Sequence, residues 1–147
     1  MGSILAIDYG LKRIGLAISD PDRIFAFPYR TILNQSFDSV LSEISFFVKE
    51  KDIDLIIVGM PYSFSPSCSP EKRNHKNSME KIVMNFVKKL KKKLNVTIET
   101  VDERLSSFMA EENLKESGLS SKKLKKFVDE EAARLLLEEY IQKLKNP

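Results

Sequence analysis

The run Asp54-Leu-Ile-Ile-Val-Gly59 has no polar side to turn toward water. A strand exposed on one face alternates apolar and polar residues, so a short run without alternation is expected to be covered on both faces, as central parallel strands are. Such a strand needs helical crossovers, and both flanks supply one. On the N-terminal side Phe37, Val40, Leu41, Ile44, Phe47 and Val48 recur at helical spacing up to about Lys51, with Ser36 as the cap. On the C-terminal side Met79, Ile82, Val83, Phe86, Val87, Leu90 and Leu94 mark a second helix whose polar face is basic. Val96 to Val101 is a further parallel-type run, ending in Asp102-Glu103-Arg104.

Ahead of these elements, the β-branched runs Ile4–Ile7 and Ile14–Ile18 flank Tyr9-Gly10, whose permissive backbone suits a hairpin connection. Asp8 therefore ends the first strand at the rim of a sheet, although an Asp before Gly can also simply terminate a strand or cap a turn. From Arg23 to Leu33 the aromatics Phe25, Phe27 and Tyr29 alternate, predicting a third strand, and Pro28 places it at an edge or at a bulge. The Ser- and Pro-rich stretch from Tyr62 to Pro70 has no periodicity and is expected to be an exposed loop. A helix from about Ser107 to Ser117 should stop at Gly118. A last helix, opening as a short basic turn after Ser120, should run through Leu136 to about Leu144. The predicted class is α/β, a mixed five-stranded sheet in the order β-β-β-α-β-α-β-α with helices on both faces and an extra helix before the last. Residues 1–147 show no internal repeat or linker and are expected to form a single domain.

A chain of 147 residues can bury roughly 70% of the surface its unfolded form exposes, so no metal or disulfide staple is needed. One cysteine, Cys68, and one histidine, His75, leave Cys/His zinc sites and Cys–His nucleophile pairs without support. A single thiol suits a reducing cytosol. Neither a long apolar run nor an N-terminal signal is present, so a soluble, cytoplasmic protein away from membranes is expected. The net charge of +3 hides an uneven distribution, with nine Lys or Arg against two Glu between Glu71 and Lys93. A second cluster, Lys122-Lys123-Leu-Lys125-Lys126, follows later. Patches of this kind fit a polyanion such as nucleic acid, and equally a solvated helix face.

Three carboxylates hold comparable positions: Asp8 at the end of the first strand, Glu103 at the end of the last, and Asp129 at the start of the closing helix. Ala132, Ala133 and Leu136 follow Asp129 at helical spacing, which puts the acid on the sheet-facing side beside two alanines that permit close approach. The same periodicity turns Glu130, and with it Glu131, toward solvent. An acid on a buried face needs its charge compensated. Carboxylates without His or Cys form a hard oxygen site suited to Mg²⁺ or Mn²⁺.

These residues carry a resemblance to the YqgF/RuvX family of Holliday junction resolvases or pre-16S rRNA nucleases, of the ribonuclease H-like fold. Asp8-Tyr-Gly-Leu-Lys-Arg-Ile-Gly-Leu-Ala-Ile-Ser-Asp20 resembles its N-terminal signature and Val58-Gly-Met-Pro61 its central strand end. Asp102-Glu-Arg-Leu-Ser106 resembles the third motif, and Val128-Asp129 with Ala132-Ala133 the last. The resemblance implies that Asp8, Glu103 and Asp129 are the metal-binding catalytic residues. Two divalent ions about 3.5–4 Å apart can activate a water on one side of a phosphodiester and stabilise the leaving oxygen on the other.

Lys12 and Arg13 beside the hairpin turn, and Arg104 after Glu103, are the candidates for holding substrate phosphates. A structural ion pair is an equal alternative for Arg13 and Arg104, while Tyr9 is expected to pack rather than stack on a base. The function so implied is a metal-dependent nuclease processing the 5′ end of precursor 16S ribosomal RNA. One alternative is a resolvase of branched DNA, which would act as a homodimer rather than a monomer. The other is a nucleic-acid-binding protein without turnover, which would need the lysines but not three metal-facing acids.

Overall fold

A computed structural model of the chain describes residues 2–61, 70–102 and 121–146, with side chains for 2–61, 79–102 and 128–146. The predicted loop up to residue 69, the predicted helix at 107–117, Glu103, Arg104 and the side chains of the second lysine cluster lie outside the described residues.

Two apolar runs around Tyr9-Gly10 form the expected hairpin, β1 (Ser3–Asp8) and β2 (Arg13–Ser19), paired antiparallel with Asp8 opposite Gly15. β3 (Ala26–Leu33) adds antiparallel to β2. After α1 (Phe37–Glu50) the chain returns as β4 (Ile53–Met60), parallel to β1. After α2 (Pro70–Lys93) it returns again as β5 (Thr97–Asp102), parallel to β4. The sheet order is β3-β2-β1-β4-β5, so the all-apolar β4 lies inside the sheet, as expected of such a run. α3 (Ser121–Lys145) closes the fold.

Local chemistry explains several of these boundaries. Ser36 is extended and its hydroxyl accepts from the Ser39 amide at 3.2 Å, which satisfies one orphan donor of α1. Pro70 opens α2, where a missing N–H costs nothing. Pro28 has no N–H for a ladder, and both predicted consequences occur together. β3 is an edge strand, and its register slips because Leu16 pairs with Arg30 while the next residue, Ala17, pairs with Pro28, leaving Tyr29 as the extra residue of a bulge.

The two faces of the sheet carry separate apolar clusters. Leu5, Ile7, Ile14, Leu16, Ile56 and Val58 pack beneath α1 and α2 with Val40, Ile44, Phe86 and Leu90. Ile4, Ala6, Ala17 and Ile57 face α3 and meet Ala133, Leu136, Leu137 and Ile141. Leu5, Ile7, Ile56 and Ile57 have no exposed surface, so each contributes roughly 1.5–3 kcal/mol of transfer free energy.

The last helix runs as one continuous element of 25 residues from Ser121 to Lys145, close to its predicted span. Asp129 therefore sits two turns inside the helix rather than at its start, where the backbone amides already bond along the helix and an N-cap role is closed to it.

Candidate functional site

The end of β1 fixes the site. Ile4 and Ala6 belong to the cluster beneath α3, so the period-2 alternation of a strand puts Asp8 on the same face. Across the ladder its partner is Gly15. Ala17, two residues on, also faces α3, which places Gly15 beneath that helix. A Cβ on Gly15 would stand 2.0 Å from the Asp129 carbonyl oxygen, 2.3 Å from its carbonyl carbon and 2.8 Å from its Cβ. The backbone of Asp129 thus lies directly on Gly15. Ala132 and Ala133, buried with 1% and 0% exposure, continue the small-residue seat from the helix side. Asp8 and Asp129 are in this way brought to one rim and one face. Both remain partly exposed.

Arg13, at the start of β2 and with the same strand parity as Gly15 and Ala17, reaches the helix from below. Its Nε lies 3.1 Å from Asp129 Oδ2. The pair is neither buried nor free, with the Arg13 side chain 46% and the Asp129 side chain 23% exposed. Of the two roles the sequence leaves open for Arg13, the structure shows the ion pair. Lys12 is exposed in the turn, and its carbonyl accepts the Asn34 amide at 2.9 Å. The Asn34 side chain donates to the Gly10 carbonyl, also at 2.9 Å. Asn34, which periodicity does not single out, thereby ties the turn after Asp8 to the end of β3.

Tyr9 is half-buried against the α2 side of the sheet. Its ring meets that of Phe86 with centroids 4.7 Å apart, on the α2 side of the sheet. Lys88, Lys89, Lys91, Lys92 and Lys93 are exposed on α2.

Two acids behave otherwise than predicted. Glu130 does not turn to solvent: its carboxylate accepts from the Thr31 hydroxyl at 3.1 Å and lines an open groove of about 680 Å³ along β3 with Arg30, Gln35 and Glu43. Glu131 is held by Arg134, whose guanidinium it and Glu138 keep protonated beyond its ordinary range. The reach of α3 over the edge strand accounts for the first difference: the helix packs along β3 as well as β1 and β2, so a residue turned away from the central strands still meets protein. Among the described residues, the groove reaches the rim of Asp8 and Asp129 through Glu130.

Glu103 and Arg104 lie outside the described residues, beyond the last residue of β5. Among the described residues no group of three or more His, Cys, Asp or Glu side chains is arranged to hold a metal ion, and no helix is long and apolar enough to cross a membrane.

Comparison with known proteins agrees with this architecture. Residues 2–143 match the family model described as RuvX, Holliday junction resolvase. A protein of Maridesulfovibrio salexigens is 40% identical over 138 residues, spanning 94% of this chain and 96% of its own. One of Endomicrobium trichonymphae is 35% identical over 142 residues, spanning 96% of each. Both carry the description "Putative pre-16S rRNA nuclease". Among solved structures, T. thermophilus RuvC in complex with a Holliday junction substrate superposes with a TM-score of 0.56 at 11% identity, over 99% of this chain and 97% of RuvC. Fowlpox virus resolvase with its junction DNA gives 0.52 at 14% identity, over 97% and 98%. At such identities these two establish the ribonuclease H-like fold alone. The sequence matches carry the assignment further: the chain belongs to the RuvX family of Holliday junction resolvases.

Proposed function

We propose that this chain is a single-domain, cytoplasmic, divalent-metal-dependent nuclease that hydrolyses phosphodiester bonds at the 5′ end of precursor 16S ribosomal RNA. The observation that carries the reading is the seat of Asp129 on Gly15. A helix interior brought into backbone contact with a strand, opposite Asp8, is an expensive way to place one carboxylate unless that carboxylate has work beside the other. Asp8 and Asp129 offer hard oxygen donors, the kind Mg²⁺ and Mn²⁺ select. Glu103 is proposed as the third ligand; it shares sequence parity with Glu99, which bonds the Tyr140 hydroxyl of α3 at 2.7 Å, and with Val101, which packs in the α3 cluster.

A divalent ion held by Asp8, Glu103 and Asp129 would supply the positive charge that an attacking water and a leaving 3′-oxygen both require. The chain's own side chains have the remaining tasks. Arg13 neutralises Asp129 and lies exposed enough to give part of its guanidinium fork to a phosphate oxygen. Lys12, exposed in the tethered turn, and Arg104 are proposed as further phosphate contacts. The lysines of α2 would add affinity without reading sequence.

The decisive experiment is incubation of the purified protein with precursor 16S rRNA, a four-way DNA junction and single-stranded RNA, each with Mg²⁺, with Mn²⁺ and with EDTA. Metal-dependent shortening of the rRNA precursor at its 5′ end is expected. Cleavage of the junction alone would make the chain a resolvase. Binding without cleavage in any metal would make it a nucleic-acid-binding protein.

A further inference from the structure

On the opposite side of the rim from Asp129 lies a half-open pocket of about 240 Å³. Phe86, 5% exposed, forms its floor. Tyr9 and Phe37 form walls, their ring centroids 4.7 and 6.1 Å from that of Phe86, and Asn34, Asn85 and Lys89 surround the mouth. The volume falls below the roughly 300–1,000 Å³ of sites for drug-sized ligands, which suits a single planar ring system.

The chemistry of the mouth narrows the occupant further. Among the described residues no carboxylate lines the pocket. Asn85 is exposed and engages no described partner, so its amide has both donor and acceptor to offer to a planar edge. The Lys89 ammonium lies 5.3 Å from the Phe37 ring centroid, which keeps a positive charge at the entrance. Lys81, Asn85, Lys88 and Lys92 follow one another at three- and four-residue spacing, so they form one polar stripe along α2 that leads away from the pocket. A cationic track beside an aromatic platform is how proteins hold single-stranded nucleic acid, the charges following the backbone and the rings stacking on bases.

The geometry points to a base-binding subsite: the Tyr9–Phe37–Phe86 pocket takes one unpaired nucleobase of a single-stranded substrate, with Asn85 at its edge and Lys89 on the adjoining phosphate. This deepens the nuclease reading and rests on it for the identity of the strand. Tyr9 directly follows Asp8, so a strand with its scissile phosphate on the α3 side of the rim needs to pass only over the Tyr9–Lys12 turn to place a neighbouring base in the pocket. A base inside a duplex cannot enter, because its faces are already stacked. The subsite therefore selects for unpaired nucleotides next to the cut.

The test uses the full chain in EDTA, where the strand stays intact, and short RNA and DNA oligonucleotides carrying one 2-aminopurine. Stacking of the probe on an aromatic ring quenches its fluorescence. Quenching is expected with single-stranded oligonucleotides and not with the same probe in a full duplex. Tyr9→Leu should abolish the quench and weaken binding by about tenfold, as expected when one stacked base loses its ring. Asn85→Leu, an exposed helix position that crowds the mouth without touching the core, should do the same with an unchanged melting temperature. Equal quenching by duplex and single strand, or full quenching in the Asn85→Leu variant, would overturn the subsite. Cleavage retained without any quench would remove the pocket and leave the nuclease. Quenching without cleavage in any metal would leave the pocket and remove the nuclease.

Discussion

Gly15→Ala adds one methyl group where the structure has no room for it. The new Cβ would meet Asp129 carbonyl oxygen at 2.0 Å and carbonyl carbon at 2.3 Å, while ordinary contact begins near 3.4 Å. Relief needs about 1.4 Å of separation between β2 and α3, and no rotamer change can provide it because the atoms belong to the helix backbone. Overpacking of this kind costs about 1–3 kcal/mol, and the rigid partners argue for about 3. For a chain of this size each kcal/mol lowers the melting temperature by about 2–4 °C, so a fall of roughly 6–12 °C is expected in a calorimetric scan. The catalytic loss should be larger than the stability loss. A shift of about 1 Å in a catalytic group costs roughly a hundredfold in rate, and Asp129 is the residue that must move. Assayed well below the melting transition, the variant should remain folded by circular dichroism and cleave about a hundredfold more slowly. Melting within a degree of wild type and cleavage within twofold would refute the idea that the close approach on Gly15 sets the position of Asp129.

Asp129→Asn should abolish cleavage with little change in stability, because the carboxylate caps no helix end and its partly exposed pair with Arg13 is worth at most about 1 kcal/mol; near-normal cleavage in Mg²⁺ would exclude a metal-ligand role. Neutralising Lys88, Lys89 and Lys92 together should lower the slope of log K against log salt for single-stranded RNA by about 2, at roughly 0.7 for each phosphate no longer neutralised; an unchanged slope would show that the strand runs elsewhere. At the opposite rim the Gly2 amide, at 2.8 Å, and then the Arg23 guanidinium hold the Asp54 carboxyl below its usual range. A depressed carboxylate stabilises the fold above its unfolded pKa and ceases to do so as pH falls through its folded value. Asp54→Asn should therefore be less stable than wild type near neutral pH, with the gap closing below about pH 3.9; a gap that persists in acid urea melts would show the contribution is not ionic.

The elements legible in the sequence are those whose cause is local. The all-apolar β4, the Ser36 cap, the Tyr9-Gly10 turn and the position of β3 at an edge with a bulge each follow from a residue's own backbone preference or from its pattern of neighbours. Asp8 at a strand end belongs to this class. What escapes depends on distant partners. A single narrow apolar stripe sends Glu130 to solvent, but α3 spans β1, β2 and the bent edge of β3, so its sheet-facing arc is wider than one stripe and takes in Thr31. Asn34 gives no signal at all, since a side chain that bonds a carbonyl 24 residues earlier leaves no periodic trace.

The union of α3 with the hairpin has a kinetic side. Arg13 and Asp129 are 116 residues apart in the chain, whereas the β1–β2 pairing closes over a short turn. Contacts of such separation are slow to form, because loop closure must precede them. The hairpin is thus expected to assemble early and to wait for α3. In native-state hydrogen exchange the amides of α3 should open together, at a lower free energy than those of β1 and β4, as a cooperative unit of the fold. Each such opening would carry Asp129 away from Asp8 while the sheet stays intact, so the fraction of molecules with both carboxylates in place would be governed by docking of the last helix and not by global unfolding.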